Sequence, residues 1–264
     1  MTFDGRHALA GRAARAASVG AAEAASCGNN AAGFEAWKAS FAQEARANGI
    51  GARALEAFAG TKYATATIRA DRGQHGFKLS FEQFMAKRGG AGIISKGRVL
   101  KRQHAALFAD IEKRYGVPAG PLLAIWGMET GFGAVHGNQN MLSSVATLAY
   151  DCRRSDFFTE HLYAALKLVD RGTFSASTRG SMHGEVGQTQ FMPKAVLQYG
   201  VGSLESASGA LMSTANFLKG HGWSRGGGYG PGQANYGAIQ GWNAASVYQQ
   251  AIAHIGQAID GAGD

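Results

Sequence analysis

The chain has 264 residues, 45% of them hydrophobic, and 26 Lys and Arg against 18 Asp and Glu give it a formal net charge of +8. That is enough apolar material for one substantial domain, and no run of about 18 consecutive apolar residues is present to form a spanning helix. The positive balance favours an anionic partner, whether nucleic acid, an anionic membrane or a polymer carrying carboxylates, and a solvated basic surface explains it equally well. Nucleic acid has no support beyond charge, because Lys101–Arg102 and Arg153–Arg154 are isolated basic pairs with no zinc-ligand spacing or aromatic RNA-binding motif near them.

Residues 1–26 are alanine-rich, with Arg6, Arg12 and Arg15 interrupting what would be the apolar stretch of an export signal. A lipid-attachment motif ending at Cys27 is a poor match, since Ala24 stands where a larger aliphatic residue is usual. We take residues 1–30 as a disordered or processed export-signal-like segment and 31–264 as one domain. Apolar residues then recur at helical spacing, so the expected fold is mainly α, with little or no sheet. A helix is predicted over 34–48, with Phe34, Trp37, Phe41 and Ala45 on one face and Gly49 as its stop. A short helix over 51–58 follows, and 60–77 reads as an irregular wrapping segment. Ser80 sits where an N-cap belongs, ahead of Phe81, Phe84 and Met85. Residues 96–115 read as one long amphipathic helix ended by Gly116. Pro118 and Pro121 open the next helix, which runs to about Thr130. Ser155 is the expected cap of a helix to Arg171, and further helices are expected over 193–199, 207–219 and 246–258. The glycine-dense stretch 224–233 reads as a loop.

The helix ending at Thr130 carries one glutamate, Glu129, which shares its face with Leu122, Ile125 and Trp126. Burial and the negative end of a helix both disfavour a charged carboxylate, so such a group holds a proton near neutrality and suits a general acid. A buried glutamate satisfied by hydrogen bonds, or one reaching to the surface, fits the same pattern. Glycoside cleavage ordinarily needs a second carboxylate. Of Asp151, Asp156, Glu160 and Glu185, the residues Asp156 and Glu160 stand near a helix start, where acids favour the dipole. Glu185, in a glycine-rich loop, is the serious candidate. Cys27 and Cys152 lack metal-site spacing and are either two buried thiols or one disulfide.

Four blocks carry a resemblance: GVPAGPLLAIWGMETGFGAVHGN at 116–138, GSMHGEVGQTQFMP at 180–193, STANFLKGHGW at 213–223 and WNAASVY at 242–248. In this order they resemble the B-type lytic murein transglycosylases, and weaker similarity extends over roughly 34–258. The resemblance implies a lysozyme-like helical domain with an N-terminal helical wrap. It also implies cleavage of the β-1,4 bond between N-acetylmuramic acid and N-acetylglucosamine, closing a 1,6-anhydro ring with one glutamate as acid and then base, and no cofactor. Glu129 matches that glutamate, and Ser181 matches the serine that positions the substrate's N-acetyl group. Gln190 matches a glutamine of the glycan groove. Asn243 and Tyr248 match residues set near the glutamate. The partner implied is the peptidoglycan glycan strand. The setting implied is the periplasm or cell envelope, for a monomer that is free or in peripheral association with the membrane. Relatives with cysteines at comparable places imply a Cys27–Cys152 disulfide.

The sequence departs from the family pattern in several places. Phe84 and Phe217 stand where cleft tyrosines are usual, so each ring is expected to stack on a sugar without a phenolic hydrogen bond. Met182 replaces an aromatic residue, and His183 and Glu185 replace small ones. Where some members carry a calcium loop, this chain reads GVGSLESASG with Glu205 as its single acid, too few oxygen ligands, so no metal is expected. Two other functions remain open: a hydrolytic muramidase in which Glu185 activates water, and a non-catalytic peptidoglycan-binding protein.

Overall fold

A computed structural model describes residues 26–73 and 79–261. The expectation for residues 1–25 and the end of the wrapping segment at Phe77 lie outside the described residues.

The first lobe begins with a capped turn and then α1 (Phe34–Ala47), whose Phe34, Trp37, Phe41 and Ala45 are buried as the spacing predicts. Next come α2 (Ala52–Ala59) and α3 (Thr65–Arg72). The helix α3 lies inside the stretch read as irregular; its buried residues are Thr67, Ile68 and Asp71, so polar groups hide its period. Two later helices complete this lobe, α8 (Met141–Tyr150) and α9 (Ser155–Asp170), with α10 (Pro193–Tyr199) packed on α9. Their core is rich in aromatic rings, with Trp37 stacked between Phe34 and Phe41 and edge-on to Phe58.

The second lobe is built on α7 (Ala119–Thr130), which is buried on nearly every side except at Glu129. Around it lie α4 (Phe81–Arg88), α5 (Gly90–Gln103), α6 (Ala105–Tyr115), α11 (Ala207–Gly220), α12 (Tyr236–Trp242) and α13 (Ser246–Asp260). The closest pairing is α7 on α13. A side chain at Gly120 would meet the Gly256 carbonyl at 2.3 Å, so only glycine allows this approach. Ser80 caps α4 through a reciprocal box with Gln83. Asp260 accepts from the Gly120 amide at 2.9 Å and Asp170 from the Gly51 amide at 2.7 Å, so two helix starts are capped by side chains from other helices.

Three sequence expectations are corrected. The single helix over 96–115 is two helices that start at Gly90 and break at His104, because α5 packs on α7 and α13 while α6 packs on α11. Ser155 is not the cap of α9; Arg154 takes that position, and the Ser155 hydroxyl donates to the Ala149 carbonyl at 2.6 Å. Residues 27–30 belong to the fold. Gly28 bridges to Asp151, Asn30 caps the first turn, and Cys27 is disulfide-bonded to Cys152. Among the described residues the sheet is one antiparallel pair, β1 (Gln139–Asn140) and β2 (Arg179–Gly180), with Gln139 opposite Gly180. Phe217 and Trp242 pack against both cores, and the cleft opens where they meet.

Candidate active site

The cleft between the lobes has a volume of about 350 Å3 and is lined by Glu129, Glu185, Gln190, Phe191, Phe217, Trp242 and Asn243, among others. Glu129 reaches it from the last turn of α7, where Gly131 ends the helix at φ 59°. Its Oε1 accepts from the Tyr248 hydroxyl at 2.6 Å and from the Trp242 indole N–H at 3.3 Å. Both donors are neutral. Burial pushes the Glu129 carboxyl above the usual carboxylate range. The Tyr248 and Trp242 hydrogen bonds and the Arg88 charge offset part of that rise, while the Glu185 charge adds to it. Burial and the neighbouring Glu129 also push the Tyr248 phenol up, so it stays a donor.

The opposite wall is the strap 180–191. It folds back on itself through paired hydrogen bonds between Val186 and Phe191, 2.9 Å each way. It is tied to α7 by Trp126, whose indole donates to Gln188 at 2.9 Å, and by Thr130, whose hydroxyl donates to the Gln188 carbonyl at 2.6 Å. Gln190 holds a left-handed φ of 56°, a conformation that a non-glycine residue keeps only where its surroundings impose it. Its amide donates to Gly187 at 2.8 Å. Within the strap the Ser181 hydroxyl donates to Glu185, and its oxygen accepts from the His183 and Glu185 amides at 3.1 and 3.2 Å. Asn243 lines the cleft and also turns the chain into α13, its side chain accepting from the Ala245 amide at 2.9 Å.

The residues expected from sequence fall into three groups. Glu129, Glu185, Gln190, Phe217 and Asn243 share the cleft, and Tyr248 stands behind it in contact with Glu129. Ser181 is beside the cleft through Glu185. Phe84 and Met182 are corrected. Phe84 is only 1% exposed, edge-on to Tyr248 at 5.8 Å, so its ring supports the Tyr248 phenol and has no face for a sugar. Met182 is solvent-exposed and does not line the cleft. Trp242 and Arg88 were not assigned a role from sequence. Trp242 is the first residue of a block already singled out, and only its indole N–H, a lone donor on an otherwise apolar ring, signals a hydrogen-bonding role.

The transglycosylase SLT domain family matches residues 33–233. The chain belongs to that family. Membrane-bound lytic murein transglycosylase B of Escherichia coli (strain K12) is 34% identical over 142 residues, 50% of this chain and 39% of that protein, so the match spans about two fifths of the relative's length. SltB3 from Pseudomonas aeruginosa, in complex with NAG-anhNAM-pentapeptide, superposes with a TM-score of 0.78 at 30% identity, covering 86% of this chain and 80% of that one. The soluble lytic transglycosylase SltB1 from Pseudomonas aeruginosa shares the fold, with a TM-score of 0.75 at 23% identity over 85% of this chain and 98% of that one.

This SLT domain has a larger cavity, about 500 Å3, on the far side of Gln190, lined by His136, Arg179 and Glu205 among others. The helix-borne carboxyl is absent from its wall and lines the smaller cleft, so chemistry selects the smaller one. Among the described residues no group of three His, Cys, Asp or Glu side chains is arranged to hold a metal ion.

Proposed function

We propose that this chain is a lytic transglycosylase that cleaves the β-1,4 bond between N-acetylmuramic acid and N-acetylglucosamine in peptidoglycan. The observation that carries the reading is Glu129, a cleft carboxyl hydrogen-bonded by two neutral donors and pushed toward its protonated form by burial. In that state it gives its proton to the leaving glycosidic oxygen. The substrate's acetamido oxygen attacks the anomeric carbon. Glu129 then takes the proton of the muramic C6 hydroxyl as the 1,6-anhydro ring closes, so no water enters. Gln190, Phe217 and Asn243 hold the glycan, and Tyr248 and Trp242 hold Glu129. The anhydro-muramic ligand of the SltB3 complex supports this product, and the +8 charge suits a polymer with carboxylate-bearing stems.

The setting proposed is the periplasm or cell envelope, which agrees with the Cys27–Cys152 disulfide. No helix among the described residues is long and apolar enough to cross a membrane. Peripheral association is supported by the membrane-bound character of the Escherichia coli relative.

Digestion of purified sacculi followed by mass spectrometry tests the reading. Released muropeptides should be lighter by one water than hydrolytic products, and Glu129→Gln should release none. Hydrolysis is the second reading, motivated by Glu185 in the same cleft; products with reducing muramic ends from the wild type would establish it.

A further inference from the structure

A hydroxyl has one hydrogen to donate and two lone pairs to accept with. In Ser181 all three are used inside the strap: the hydrogen goes to Glu185, and the oxygen receives the amides of His183 and Glu185. So engaged, Ser181 has no hydrogen-bonding capacity left for a sugar. The capacity reappears on Glu185. Ser181 holds its Oε2, while Oε1 accepts no hydrogen bond from the described residues, and the side chain lines the cleft that contains Glu129. The cleft therefore presents one carboxyl that is pushed toward its protonated form and one carboxylate oxygen waiting for a donor.

We propose that Glu185 receives the N–H of the 2-acetamido group on the sugar whose bond is cleaved, and that Ser181 acts through it by fixing its rotamer. The inference rests on the transglycosylase reading. When the acetamido oxygen bonds to C1, the C1–O4 bond breaks and the Glu129 proton passes to O4. The acetamido nitrogen then shares the positive charge of an oxazolinium ion. When the C6 oxygen bonds to C1, the bond from C1 to the acetyl oxygen breaks and the C6 proton returns to Glu129. No water or cofactor enters the balance.

A ring hydroxyl gains no charge in these steps, whereas the acetamido N–H does. A carboxylate opposite that N–H therefore binds the transition state more strongly than the ground state, which is the condition for raising kcat. It also orients the acetamido group with its carbonyl toward C1. The groups facing Glu129 are Tyr248 from α13, Trp242 from α12, Arg88 from α4 and Glu185 from the strap. Only Glu185 among them brings a negative charge to the cationic intermediate.

The test uses the full chain, a soluble glycan substrate, and N-acetylglucosamine-thiazoline as a mimic of the oxazolinium ion. Glu185→Gln keeps the side-chain shape and can still accept from Ser181, so it guards against misfolding, which thermal melting checks. It should lower kcat by roughly 100-fold with KM changed by no more than about threefold. It should also weaken thiazoline binding by at least about tenfold while leaving affinity for an N-acetylglucosamine oligomer in place. Ser181→Ala should show part of the thiazoline loss, and Ser181→Thr should restore it. Glu185→Gln with unchanged thiazoline affinity and kcat would overturn the assignment, and so would a loss confined to KM. These outcomes are separable from failure of the parent reading. Reducing rather than anhydro ends from the wild type would sink the transglycosylase itself, whereas anhydro products made equally by wild type and Glu185→Gln would sink only the role of Glu185.

Discussion

Asp71 and Glu129 are carboxyls from the two lobes, both enclosed by protein, and their surroundings push them in opposite directions. Burial raises both. At Asp71 that rise is outweighed by the Arg153 hydrogen bonds and by Arg154, which hold the carboxyl below the usual carboxylate range. At Glu129 the donors are a phenol and an indole, and burial wins. The pattern extends through the first lobe. Asp151 accepts from Arg72 at 2.6 Å, and the Lys38 ammonium donates to the Ala59 and Thr61 carbonyls at 3.0 and 2.8 Å. There, Asp71 and Asp151 meet arginines and Lys38 meets carbonyl oxygens. The second lobe keeps Glu129 short of that compensation, and the acid/base role we propose for it rests on this shortfall.

The largest effect that would sharpen this contrast is at Glu129. Glu129→Gln should cut turnover on sacculi by roughly 1,000-fold or more, within the range removal of a positioned general acid produces. Its fold should be no weaker, because the amide resembles the protonated carboxyl; a variant with wild-type turnover would break the contrast outright. His161 tests it from the other side, as a titratable group in the first lobe without full compensation. Burial, with the Lys194 charge, depresses its imidazole to about 4 from the ordinary 6.5. The unfolded chain therefore takes a proton that the fold refuses as pH falls from about 6.5 to 4. Stability should drop by roughly 3 kcal/mol across that window and level off below it. Urea unfolding at pH 7 and pH 4.5 should show a smaller drop for His161→Gln than for the wild type. Asp71→Asn comes next, at about 2 kcal/mol, less than the roughly 3–5 kcal/mol for fully buried pairs because the arginines reach solvent. The pH dependence has the same sign as that of His161, because both groups release their proton more readily in the fold than in the unfolded chain. A depressed carboxyl stabilises the fold above its unfolded pKa, and that contribution is lost as pH falls through the folded one. The gap between wild type and Asp71→Asn should therefore narrow in acid.

How much of this was legible in the sequence follows from which interactions are local. The α1 stripe, the Ser80 cap and the glutamate on an apolar helix are set by residues three or four apart, and all three are read from spacing. Helix α8 escapes notice because it is buried on every side, so its residues Met141–Tyr150 show no amphipathic period. Helix α12 is seven residues long and follows a glycine-dense loop. The break at His104 has no glycine or proline to mark it; packing partners dictate it. The site is similar. Glu129 is visible as a type in a pattern, but its donors Trp242 and Tyr248 are 113 and 119 residues away. The burial of Phe84 and the Ser181–Glu185 bond depend on how distant elements and a folded strap come together.

The smallest effect probes the neutral donors themselves. The Tyr248 hydroxyl donates to Oε1 of Glu129 and favours its ionised form, so it works against burial. Tyr248→Phe removes that bond and leaves the ring packed against Phe84. Glu129 should then be pushed further up, and the basic limb of the pH–rate profile should move to higher pH. At the optimum the variant should lose roughly fivefold in rate, the equivalent of one neutral hydrogen bond at about 1 kcal/mol. Glu185→Gln should move the same limb to lower pH, because it removes a charge that favours the protonated form. The two shifts must have opposite signs if neutral donors and a neighbouring carboxylate set the Glu129 proton between them. Profiles that move in the same direction would mean that Tyr248 serves the protonated carboxyl, and that burial alone separates Glu129 from the neutralised acids of the first lobe.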